Sequence, residues 1–117
     1  MSQTERLTSF MIVRTIGFVS EISEEKQAKI MQYALMRINS KTDFIVLDPE
    51  TKENYQEDQG RTWHCVNPWT AKKIYVKLDD YGEPEKWSEM YEPKVVEELK
   101  KAPNCRFVVT FMFAEEY

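Results

Sequence analysis

The sequence predicts an α+β fold: one compact domain with a mainly antiparallel sheet of four to five strands and two helices, in the order β-α-β-β-β-α-β. Three observations carry that expectation. Several short segments alternate at period two or run fully apolar, and two segments repeat at helical period. No repeat, Gly/Ser linker or low-complexity stretch divides residues 9–117, which follow a short polar segment, residues 1–8.

The first element covers residues 9–19. Phe10, Ile12, Arg14, Ile16 and Phe18 alternate with Met11, Val13, Thr15, Gly17 and Val19. Both sets are largely apolar, which predicts one central strand covered on two sides. Gly17 would weaken such a strand, so it marks a bulge or a close backbone approach. Ser23 then reads as an N-cap, with Glu24 and Glu25 where a helix dipole favours anions. Met31, Ala34, Leu35 and Ile38 fall at i, i+3, i+4 and i+7 and form the face that packs on the sheet. Asn39 and Ser40 close this helix.

Residues 44–47 are fully apolar between Asp43 and Asp48-Pro49, which predicts a second strand. A polar loop is expected up to Gly60. Residues 61–66 and 72–78 read as two further strands around an Asn67-Pro68 turn, with Ile74, Val76 and Leu78 facing opposite to Lys73, Tyr75 and Lys77. An acidic turn at Gly82-Glu83-Pro84 leads to a short helix that Pro93 starts and Pro103 stops, with Val95, Val96 and Leu99 as its apolar side. Residues 105–114 form the last strand, with Phe107, Val109, Phe111 and Phe113 on one face and Val108, Thr110 and Met112 on the other. A ferredoxin-like variant with one extra strand is the nearest named topology.

Composition narrows the function classes. Hydrophobic residues make up 42% and aromatics 13%, which excludes a disordered, collagen-like or coiled-coil chain. A net charge of −4 argues against a surface that is basic all over, as nucleic-acid-binding domains commonly are. The opening residues lack the apolar core of a signal peptide, and no apolar run spans a bilayer. A cytoplasmic protein without membrane contact is expected, with Cys65 and Cys105 as reduced thiols.

The motifs of common catalysts are missing. His64 and Cys65 are neighbours, but on a strand they point to opposite faces and cannot act as a thiol-imidazole pair. One His and two Cys leave a zinc site incomplete. Asp48, Glu50, Asp79, Asp80 and Glu83 are the carboxylates available to a divalent cation, yet no calcium-loop spacing exists. Three isolated glycines exclude phosphate-binding loops. Neither a metal nor a cofactor is expected.

Charge segregation stands out instead. Residues 48–58 carry five acids and one Lys, and residues 79–92 carry six acids and one Lys. Between them, residues 59–78 contain Arg61, Lys72, Lys73 and Lys77, no acid, and the rings of Trp63, His64, Trp69 and Tyr75. Cations interleaved with flat rings suit either a protein contact or stacking on nucleotide bases. The plainest reading is a solvated hairpin neutralised by its acidic flanks.

These readings converge on a small acidic module that binds another protein through the basic-aromatic hairpin. In size and composition it resembles the small modulators that phages and mobile elements direct at host proteins. Binding of a nucleotide or single-stranded nucleic acid is the first alternative, and a small carboxylate-dependent hydrolase the second. The apolar last strand is either central or an interface, and a homodimer through it is a further expectation.

Overall fold

Thr15 divides the apolar stretch that the sequence presents as one strand. In the computed structural model, which describes residues 10–80, 86–100 and 107–117, strand β1 spans Phe10–Arg14 and helix α1 spans Ile16–Glu21. The Thr15 amide still extends the sheet, donating to the Phe111 carbonyl at 3.1 Å. Its carbonyl and hydroxyl already belong to the helix, accepting from the amides of Val19 at 3.0 Å and Phe18 at 3.4 Å. The expected strand is thus corrected in its second half. A short run apolar on both faces fits a buried strand or a buried helical turn equally well. Here a remote partner decides: the Glu116 carboxylate accepts from the Gly17 amide at 2.9 Å. Gly17 does mark a close approach, since a Cβ there would lie 2.6 Å from Glu116 Oε2. The approaching group is a side chain, and no bulge forms.

Helix α2, Glu24–Leu35, begins at Ser23, whose hydroxyl accepts from the Lys26 amide at 3.3 Å. The helix buries Gln27, Ile30 and Ala34; of the predicted stripe, Ala34 and Ile38 lie in the core, and Met31 and Leu35 pack half-buried against it. Gln27 is tolerated there because its polar atoms are satisfied. Its amide donates to the carbonyls of Val19 and Ile22, and its oxygen accepts from Arg14 at 2.8 Å. The helix ends before Asn39, whose side chain instead organises the following turn by accepting from the amides of Lys41 and Thr42.

The remaining elements are β2 (Phe44–Asp48), β3 (Tyr55–Glu57), β4 (Thr62–Val66), β5 (Ile74–Asp80), α3 (Trp87–Met90), α4 (Pro93–Leu99) and β6 (Phe107–Phe113). The α+β class holds, with a mixed six-stranded sheet in the order β1-β6-β5-β2-β4-β3. Pairs β6–β5, β5–β2 and β4–β3 are antiparallel, while β1–β6 and β2–β4 are parallel. This order replaces the ferredoxin-like expectation: β1 is an edge strand whose described pairing is with the last strand, and the parallel ladders lie toward opposite ends of the sheet.

Two further differences have physical causes. The segment read as a polar loop contains β3, followed by a turn at Asp58–Gly60 with positive φ at all three residues (53°, 57° and 93°). Side chains exposed on both faces of β3 leave no hydrophobic pattern to find. Strands β4 and β5 are not a hairpin, because β2 lies between them and pairs with both. Ile45, Val46 and Leu47 are all buried, which suits an interior strand.

Helices α1 and α2 cover one sheet face. Phe18, Ile22, Ile30, Ala34 and Ile38 meet Ile45, Leu47, Cys65, Ile74, Val76, Val109, Phe111 and Phe113 in a single core. The predicted facing of β5 and β6 is observed. Strand β6 lies between β1 and β5, so the dimer expected through it finds no free strand edge there. The calls on Gly82, Pro84, Pro103 and Cys105 lie outside the described residues. No described helix is long and apolar enough to cross a membrane.

Candidate binding surface

The sheet face opposite α1 and α2 is ordered by register. One row crosses it from β3 as Tyr55, His64, Val46, Tyr75 and Met112, and the next as Glu57, Thr62, Phe44, Lys77 and Thr110. Val46, Met112 and Val108 are buried on this face. The rings around them are more open. Tyr55 is 50% exposed and stacks on His64 with centroids 4.5 Å apart and planes 8° apart. Phe44 and Tyr75 are half-buried, with centroids 5.0 Å apart. Tyr117, 74% exposed, leans over both, at 5.5 Å from Tyr75 and 6.3 Å from Phe44. Lys77 Nζ lies 5.6 Å from the Tyr117 centroid.

The predicted basic-aromatic residues divide between the two faces. His64, Tyr75 and Lys77 belong to the aromatic rows. Trp63 and Trp69 pack against the core instead, Trp69 edge-on to Tyr33 at 5.4 Å. Every cation of the segment meets an acid. Arg61 bonds Asp43 at 3.1 Å, Lys73 approaches Asp48 at 3.8 Å, and Lys77 bonds Asp79 at 3.2 Å. Lys72 bonds Glu21 at 3.0 Å and Glu115 at 3.2 Å, and these two bonds raise its pKa. The Glu57 carboxylate pairs with His64 Nε2.

The acidic flanks do not converge. Antiparallel pairing of β2 with β5 places Asp48 near Ile74 and Asp79 beyond Asp43, at opposite ends of the strands. Glu50 donates its amide to Asp48 in the loop after β2, Asp80 stands in register with Phe107, and Glu83 lies outside the described residues. Among the described residues no three His, Cys, Asp or Glu side chains gather as a metal site would require. His64 and Cys65 do point to opposite faces. Cys65 is fully buried in the core, and desolvation raises its thiol pKa, the opposite of what a nucleophilic thiol needs.

Sequence reading missed Phe44, Tyr55 and Tyr117 as members of the surface. Phe44 lies in a run apolar throughout, so only its register beside Lys77 reveals which way it faces. Tyr117 is brought in by a short 3₁₀ turn, Ala114–Glu116, that folds the chain back after β6. Comparison of the chain with family models, characterised proteins and solved structures returns no significant match.

Proposed function

We propose that the chain is a protein-binding module whose contact surface is the aromatic group Phe44, Tyr55, Tyr75 and Tyr117 with Lys77 and His64. The observation that carries the reading is the openness of Tyr55 and Tyr117 beside partly covered rings, on a face whose charges are already paired. Rigid aromatics with a polar handle supply large contact area at low entropic cost, and Tyr is enriched among the residues that dominate protein interfaces. Charges that meet partners within the chain leave little net attraction for a phosphate backbone, so nucleic-acid binding has less support. This moves the expected contact away from Trp63 and Trp69, whose rings lie against the core.

The test compares capture from a lysate of the source cells by wild type, Tyr55→Ala/Tyr117→Ala and Trp69→Ala. One stoichiometric protein retained by wild type and Trp69→Ala, and lost by the double variant, supports the reading. Retention by the double variant, or no stoichiometric protein at all, overturns it.

A further inference from the structure

Residues 114–117 connect the two faces of the sheet at the end of β6. The Ala114 amide donates to the Lys73 carbonyl at 2.9 Å, one bond beyond the β5–β6 ladder. A single 3₁₀ turn follows, closed by the Tyr117 amide on the Ala114 carbonyl at 3.2 Å. From this turn the Glu116 carboxylate reaches the helix-covered side, accepting from the Thr15 hydroxyl at 2.6 Å and the Gly17 amide at 2.9 Å. The next ring lies on the opposite face. Tyr117 stands edge-on to Tyr75 at 5.5 Å and 6.3 Å from Phe44, both of them half-buried.

The attachments of this segment differ in strength. Tyr117 is 74% exposed, so its ring gains little from burial, and exposed ring pairs do not offset the entropy of ordering a chain segment. One three-residue turn is too short to hold itself. Glu115 meets Lys72 at 3.2 Å, but both are exposed and Lys72 is shared with Glu21, so that pair adds little. Glu116 differs in kind. Its two oxygens accept three charge-assisted bonds, from Thr15, from Gly17 and from the Phe113 amide at 2.9 Å. It is also the residue bonded directly to Tyr117. We propose that Glu116 is the positioning residue of the aromatic surface: its seat beside α1 keeps Tyr117 over Phe44 and Tyr75 on the other face, and loss of that seat frees the ring and uncovers those two. The consequence for binding rests on the reading of those rings as the contact surface, whereas the positioning can be measured without a partner.

The test is nuclear Overhauser contact between aromatic rings in the full chain at neutral pH, with the cross-strand contact of Tyr75 and Met112 as the internal check of folding. Wild type should show Tyr117 against Tyr75 and Phe44. Glu116→Gln has one accepting oxygen in place of two, so it turns an N–H toward at least one of the three donors. It should lose both Tyr117 contacts and keep that of Tyr75 with Met112. Gly17→Ala should do the same from a site that the ring does not touch, because its Cβ would lie 2.6 Å from Glu116 Oε2 and push the carboxylate out. Dependence should run one way only. The exposed variant Tyr117→Ala, which removes no bond of the seat, should leave the Gly17 amide resonance where it is in wild type. A wild type without the Tyr117 contacts overturns the proposal. So does their survival in Glu116→Gln or Gly17→Ala, or a Gly17 amide that moves in Tyr117→Ala. Capture from a lysate enters none of these readouts, so failure of the contact surface and failure of the positioning are told apart.

Discussion

The Gly17 amide donates to the Glu116 carboxylate at 2.9 Å although 99 residues separate them. The same carboxylate accepts from the Thr15 hydroxyl at 2.6 Å and the Phe113 amide at 2.9 Å. One side chain thus serves an open donor at the start of α1 and fastens the chain after β6 to the chain after β1.

Gly17→Ala should destabilise the domain, because the new methyl group displaces the carboxylate rather than filling space. Glu116→Ala should cost a similar amount, about 1 kcal/mol by analogy with lost helix caps. In a double-mutant cycle followed by urea unfolding, the two losses should be clearly less than additive, since each removes the same contact. Additive losses would show that the contact contributes nothing to stability.

The Thr15 hydroxyl bond, followed by the amides of Phe113 and Gly17, lowers the Glu116 pKa in the folded state. A carboxyl with a depressed folded pKa stabilises fully above its unfolded pKa, and that contribution disappears as pH falls through the folded value. The stability gap between wild type and Glu116→Gln should therefore be widest near neutral pH and shrink steadily as pH falls below the ordinary glutamate range. Unfolding midpoints measured across that range check the sign.

Gln59 holds φ 57° and ψ 34°, in the left-handed region where a side chain is unfavourable. Gln59→Gly should raise stability by up to about 1 kcal/mol, less the extra freedom glycine gains when unfolded. Gly60, with φ 93° and only 3.2 Å from a built Cβ to Lys41 Cε, should reject alanine. Thermal unfolding of both variants should give shifts of opposite sign.

Burial and the raised pKa of Cys65 should make it inert to thiol reagents in the native state. Peptide mapping after labelling should find Cys65 unmodified until denaturant is added. Rapid native labelling would place the thiol outside the core.

The sequence announced the parts of this fold that depend on near neighbours. Ser23 is the N-cap it resembles, and period-two alternation assigned the faces of β5 and β6 correctly. It was silent wherever a distant partner decides. Thr15 turns strand into helix with help from Glu116, and β2 separates two strands joined by seven residues. The surface follows the same division. Alternation placed Tyr75 and Lys77 together, whereas Phe44 and Tyr117 joined them only through strand register and a chain reversal.

Pairing of β1 with β6 also sets a schedule for the chain on the ribosome. Phe10 waits for Phe107, its register partner, and at about 5–20 residues per second that delay is roughly 5–20 s. Until then the apolar strand and the helix it feeds lack the ladder that seats them. Chaperone capture during synthesis should accordingly concentrate on this amino-terminal stretch and end when β6 emerges.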